Sequence, residues 1–168
     1  MEYHIVDNNV YLKLRGNHGK DEYIIVSLNK LDYVIKYDWY LGSNGYPKTY
    51  KRMGRPRTLH RFIYSIILGS PIPKWYVIDH INCNKLDNRD ENLRLASSQE
   101  NSFNRSVNKN SLTGYKGITQ NKKGTYNISI SRDGKKYGFK NIDTLEEAKN
   151  MYNILAHEVF GEYAYVNK

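Results

Sequence analysis

No apolar run in this chain is long. The longest, Phe62 to Leu68, is interrupted by Ser65, and crossing a bilayer takes about 20 apolar residues. The apolar side chains come in short strings divided by Gly, Asn, Asp and Pro, so the core has to be assembled from short strands and small helices. Val10 to Leu14 alternates, Tyr23 to Leu28 is β-branched and apolar, and Asp32 to Tyr40 is rich in aromatics. Gly16 to Asp21 and Gly42 to Pro47 separate them as turns, which predicts an antiparallel sheet of three or four strands.

Further on, Leu59 to Leu68 predicts a helix, stopped by the stretch from Gly69 to Pro73 because proline cannot continue it. Trp75 to His80 predicts a strand, and Glu91 to Ser106 a loop passing into a polar helix. Arg105 to Thr113 has the composition of a linker. The last 55 residues form a unit of their own. Tyr115 to Gln120, Thr125 to Arg132 and Lys135 to Lys140 predict three strands, with Asp133-Gly134 a strong hairpin signal. Thr144 with Glu147 makes a capping-box pattern. Leu145, Ala148, Tyr152, Leu155 and Val159 then recur at helical spacing as far as the stop at Gly161.

Charge narrows the class of partner. Lys and Arg number 26 against 17 Asp and Glu, a net charge of +9, which points first to nucleic acid and leaves an anionic membrane surface as the alternative. Lys48 to Arg61 holds six Lys or Arg and no acid. Ser106 to Lys140 holds eight against Asp133 alone, whereas Asn141 to Lys168 is net −3. A single cysteine, Cys83, excludes an internal disulfide framework and a zinc site built on paired cysteines. The start has neither the basic flank nor the apolar core of a signal peptide, so the expectation is a protein of the host-cell interior (cytoplasmic), with no membrane and no small-molecule cofactor.

The chemistry concentrates between Val77 and Asn101. Asp79-His80 ends an apolar strand, Asn92 lies 12 residues past His80, and Asn101 lies 9 past Asn92. Phosphodiester cleavage needs a water to lose a proton as it attacks phosphorus, and a neutral imidazole can take that proton at cellular pH. Charge builds on the phosphate and on the departing 3′ oxygen. A hard divalent cation on oxygen ligands offsets it. Asp79 supplies a charged oxygen and Asn101 a neutral one, enough for Mg²⁺ or Mn²⁺, one ion per active site, when phosphate and water complete the shell.

This stretch resembles the HNH endonucleases, in which a strand pair and a helix clasp one metal ion (the ββα-metal fold). The resemblance implies His80 as general base, Asp79 as a metal ligand and Asn92 as the asparagine that braces the loop and orients the base. Asn101 takes the place of the last histidine, as in phage intron-encoded homing enzymes. Asp87-Asn88-Arg89 and the run from Glu91 to Arg94 match the family's usual spelling, which makes Arg94 a phosphate contact. The likeness extends upstream through Leu59-His60-Arg61 to the Asp38–Tyr40 region. His60 reads as a buried structural or hydrogen-bonding group, with a phosphate contact as the alternative, and Cys83 as incidental.

The C-terminal unit resembles the DNA-binding domain of plant ethylene-response factors (the Apetala-two type), carried by the residues from Tyr115 to Ile118, 125–132, 136–140, 143–148, Tyr152 and Gly161-Glu162. That domain lays its sheet in the major groove and braces it with the helix. Ile128 and Ile130 alternate with Asn127, Ser129 and Ser131, and neighbours along a strand face opposite ways. One face is thus apolar and the other polar, and a small sheet fits a major groove. Plant domains read with arginines and tryptophans where this chain has Thr119, Asn121, Lys123, Ser129, Ser131 and Gly138, implying looser, phosphate-weighted specificity.

Together these readings predict a modular α+β protein. Residues 1–58 form an N-terminal antiparallel β region with a basic DNA-contacting loop, 59–105 the ββα-metal (HNH) nuclease, 106–113 a linker, and 114–168 a three-stranded antiparallel sheet packed on one helix. The expected DNA contacts are Arg52, Arg55, Arg57, Arg61, Arg94, Arg105, Lys116, Thr119, Asn121, Lys123, Ser129, Ser131 and Lys136. The expected activity is metal-dependent, site-preferring hydrolysis of double-stranded DNA to 5′-phosphate and 3′-hydroxyl ends. One constellation per chain implies a monomer that nicks one strand. The rivals are a DNA-binding regulator that keeps the fold as a scaffold and a nonspecific nuclease.

Overall fold

The computed structural model describes residues 2–16, 19, 21–50 and 57–168, and the chain divides into two compact units, residues 1–98 and 99–168. Each is a small mixed α/β structure with short antiparallel sheets. No helix among the described residues is long and apolar enough to cross a membrane.

In the first unit, strands β1 (Tyr3–Val6), β2 (Asn9–Lys13) and β3 (Tyr23–Ser27) form an antiparallel sheet in that order. Alternation decides its faces. Val10 pairs with Val26 and Leu12 with Ile24, and all four are fully buried. A short helix α1 (Leu31–Val34), a hairpin of β4 (Tyr40–Leu41) and β5 (Pro47–Lys48), and helix α2 (Leu59–Leu68) follow. Gly69 ends α2 at φ +67°, a left-handed conformation that suits glycine. The unit closes on the antiparallel pair β6 (Tyr76–His80) and β7 (Leu93–Ser97). One apolar core joins Val10, Leu12, Ile24 and Val26 to Leu59 and Ile63 of α2 and to Ile78 and Leu93 of the strand pair. That core does not stop at residue 58.

The first third holds a three-stranded antiparallel sheet, as expected, and a separate hairpin of two-residue strands. Two sequence expectations change here. Asp32 to Trp39 is no strand, because α1 turns the chain and the Trp39 indole N–H donates to the Val34 carbonyl at 2.9 Å, burying Trp39 while Tyr33 stays exposed. Between Glu91 and Ser106 the expected polar helix is preceded by a 3-10 turn ending at Asn92 and by strand β7, paired residue for residue with β6, where a loop was expected.

The second unit starts in helix α3 (Ser98–Phe103). Strands β8 (Ile118–Gln120), β9 (Tyr126–Arg132) and β10 (Lys135–Ile142) form an antiparallel sheet with β9 central. Helix α4 (Leu145–Phe160) is capped as predicted, the Thr144 hydroxyl accepting from the Glu147 N–H at 3.2 Å. Ile128 and Ile130 pack with Ala148, Tyr152, Ala156 and Phe160, while Ser129 and Ser131 are exposed. Gly117 sits at φ +69° with Tyr152 against it, so that a Cβ would lie 2.3 Å from the ring.

Candidate active site

Strand β6 delivers Asp79 and His80 at adjacent positions, and both are buried, 6% and 4% exposed. Opposite Asp79 in the ladder stands Arg94 of β7. Its Nε and one terminal nitrogen both donate to Asp79 Oδ2, at 2.8 and 2.7 Å. Burial without that partner would cost the carboxylate dearly. His80 is held neutral at cellular pH: burial pushes its imidazole below the usual 6.5, against the opposing pull of the Asn88 hydrogen bond and the Asp79 charge.

The loop from Ile81 to Asn92 is built on side-chain amides. Asn92 Oδ1 accepts from the Asn82 N–H at 3.0 Å, and its Nδ2 donates to Asn82 Oδ1 and to the Asp87 carbonyl at 3.0 and 2.7 Å. Asp87 takes two N–H groups of Arg89, each at 2.8 Å, and the amide of Asn82 at 2.8 Å. Burial alone would raise the Asp87 carboxyl, but these donors outweigh it and its pKa falls. Asn88, fully buried, settles the tautomer of His80. Its Nδ2 donates to the Lys85 carbonyl at 3.1 Å, so its Oδ1 is the atom 3.3 Å from His80 Nε2. An amide oxygen only accepts, so Nε2 carries the proton and Nδ1 is the basic nitrogen.

A second imidazole lies beside the first. His60 of α2 is 8% exposed, and its ring centroid is 5.4 Å from that of His80 and 4.7 Å from that of Tyr46, in the β4–β5 turn. Burial and then the nearby charges of His80, Arg61 and Lys85 lower His60 to about 3. Its Nδ1 is buried with no hydrogen-bond partner among the described residues. Tyr46 is raised by burial and by Asp79. The sequence assigned no role to Asn88 or Tyr46, and nothing in its spacing marked either.

The family profile described as HNH endonuclease matches residues 57–103, which span α2, the strand pair and α3. Over 167 residues the chain is 44% identical to "Uncharacterized HNH endonuclease L560" of Acanthamoeba polyphaga mimivirus, covering 99% of this chain and 86% of that protein. The chain belongs to the HNH endonuclease family. It is a DNA-cleaving hydrolase. The nuclease is also 34% identical over 118 residues to "Protein 3.8" of Escherichia phage T7, covering 70% of this chain and 96% of that one. No solved structure matches it.

The other expected site residues of the nuclease are dispersed. Asn101 lies half-buried on α3, in the second unit. Arg52 and Arg55 lie outside the described residues, and Arg57 and Arg105 are exposed. Arg61 donates to the Tyr76 carbonyl at 3.2 Å. The ammonium of Lys116 donates to the carbonyls of Phe103 and Arg105 at 2.6 and 2.8 Å. Asn121 shapes the β8–β9 turn, its amide donating to Thr125 Oγ1 at 2.6 Å. Thr119, Lys123, Ser129, Ser131 and Lys136 are exposed on the second unit's sheet and its turn.

Nucleases of this family generally use a divalent metal ion. Asp79 offers the hard oxygen such an ion takes. Among the described residues no group of three or more His, Cys, Asp or Glu is placed to hold a metal, so a cation on Asp79 would draw most of its ligands from phosphate and water.

Proposed function

We propose that this HNH endonuclease hydrolyses one phosphodiester of duplex DNA at a preferred site, with His80 as the base. The observation that carries the reading is the buried, neutral imidazole of His80, its Nε2 proton fixed by Asn88, next to the buried carboxylate of Asp79. His80 Nδ1 takes the proton of the water attacking phosphorus, the bond from phosphorus to the 3′ oxygen breaks, and that oxygen takes a proton from solvent, giving 5′-phosphate and 3′-hydroxyl ends. A divalent cation, Mg²⁺ or Mn²⁺, supplies the charge that offsets the phosphate and the leaving oxygen. Asp79 would hold it, and the spacing of the motif assigns the second, neutral oxygen to Asn101. Asn92 keeps the loop in shape, and Arg94 is assigned to the phosphate.

The second unit acts as a reader of the ethylene-response-factor type. Its support is the division of β9 into buried Ile128 and Ile130 and exposed Ser129 and Ser131. Thr119, Ser129 and Ser131 face base edges, and Lys123 and Lys136 face phosphates. Arg57 and Arg105, with Arg52 and Arg55 of the basic loop, add phosphate contacts. The protein works as a monomer of homing type, nicking one strand.

The test is incubation with strand-labelled duplex and with supercoiled plasmid, in Mg²⁺ or Mn²⁺ and in chelator. Nicked circles in metal, intact plasmid in chelator and label released from one strand are expected. Cutting that ignores the chelator would end the metal assignment. Cuts on both strands at matched rates would end the nicking one.

A further inference from the structure

The outer edge of β3 is covered by the active-site loop. The Ile25 N–H donates to the Leu86 carbonyl at 2.8 Å and the Asn88 N–H to the Ile25 carbonyl at 2.7 Å, so Leu86 to Asn88 runs beside β3 as a short parallel strand, with Ile25 opposite Asp87. Two residues on, the grip continues. Ser27 Oγ accepts from the Asp90 N–H at 2.9 Å, and Lys30 Nζ meets Asp90 Oδ2 at 2.6 Å. Lys30 is only 7% exposed, so its charge is committed to this pair. The gripped segment is the one that carries Asn88, the partner of His80 Nε2, and it leads directly into Asn92.

We propose that β3 and the turn after it belong to the catalytic machinery as a positioning element: Ser27 and Lys30 hold Asp90, and through residues 86–90 they hold Asn88 against His80. An N-terminal sheet that only bound DNA would need no main-chain pairing with the loop of the nuclease and would leave no lysine buried under it. Moving a catalytic group by 1 Å costs on the order of 10²-fold in rate, so a loosened grip appears in turnover before it appears in binding. The inference rests on His80 as the base.

The experiment uses the full chain and compares Lys30→Met, Lys30→Arg, Ser27→Ala and, as a control on β2 at the other end of its pairing with β3, Lys13→Met. Single-turnover cutting of supercoiled plasmid in Mg²⁺ or Mn²⁺ is measured beside DNA affinity in chelator and a circular-dichroism melt. Lys30→Met is expected to cut tenfold or more slowly with affinity changed less than twofold, Lys30→Arg to recover most of the rate, and Lys13→Met to cut normally. In a double-mutant cycle with Asn88→Ala the losses should not multiply, because both act on one contact. Should Lys30→Met fail to fold, Ser27→Ala carries the same comparison with one hydrogen bond removed. Normal cutting by Lys30→Met or Ser27→Ala, or losses that multiply with Asn88→Ala, overturns the proposal. His80→Ala separates the two layers. If it cuts normally, the base assignment fails; if it is dead while Lys30→Met cuts normally, only the positioning role fails.

Discussion

His60 makes the first unit acid-sensitive by a calculable amount. Its imidazole stands at about 3 in the folded chain against 6.5 when exposed. Because the folded value is depressed, the unfolded chain binds the proton first. Stability is therefore full above pH 6.5 and is lost as pH falls from 6.5 towards 3. At roughly 1.36 kcal/mol per pH unit, the step from pH 7 to pH 5 removes about 2 kcal/mol through this ring, and the approach to pH 3 removes about 5. A small domain has only ~5–15 kcal/mol in all. His80 is depressed in the same direction and adds to the loss, so the clean quantity is a difference. His60→Gln removes one titrating ring and leaves the other. Urea melts at pH 7 and pH 5, followed by tryptophan fluorescence, report on the first unit, because buried Trp39 and exposed Trp75 both lie there. The wild type should lose about 2 kcal/mol more than His60→Gln between the two pH values. Parallel losses in the two proteins would refute the buried, neutral His60.

Four further outcomes are expected. His80→Ala should lower single-turnover cutting roughly 10²–10⁴-fold with DNA affinity retained. Because the wild-type imidazole is depressed below 6.5, the wild-type rate should hold from pH 8 to 6.5 and decline only below that; a decline beginning above pH 7 would contradict the burial effect. Arg94→Met leaves the Asp79 carboxylate buried without its cation, the two side chains being 11% and 7% exposed. It should destabilise the first unit by about 3–5 kcal/mol in a denaturant melt. Lys136→Ala should weaken DNA binding and flatten the slope of log affinity against log salt by about one; an unchanged slope would mean that this lysine faces solvent.

What the sequence made legible was local. The helix from Leu59 to Leu68, the Thr144 cap and the alternation along β9 depend on neighbours a few residues away, and all three stand as expected. Asp32 to Tyr40 misled because aromatic residues favour strands on average, whereas here one indole hydrogen bond and a helical turn bend the segment. Asn88 and Tyr46 were illegible for another reason. Their roles come from contacts across 8 residues in one case and 34 in the other, which no periodicity encodes. The buried state of His60 could be read from its place on an apolar helix, but its nearness to His80 could not. The join between the N-terminal sheet and the loop was illegible because part of it is main-chain pairing of Ile25 with Leu86 and Asn88, which leaves no trace in side-chain identity, and the rest joins Ser27 and Lys30 to Asp90 across about 60 residues.

The loop that frames His80 is tied by the amides of Asn82, Asn88 and Asn92, and its carboxylates Asp87 and Asp90 are neutralised by Arg89 and by buried Lys30. To a polyanion such a frame is electrostatically silent. It neither repels the incoming backbone nor draws in the counterions that the backbone sheds, and amide-to-amide bonds carry no net charge for salt to screen. Raising the ionic strength should therefore strip DNA from the exposed lysines and arginines while leaving the geometry around the base unaltered. Once DNA is bound, the chemical step should keep its rate across a salt range in which affinity falls by orders of magnitude.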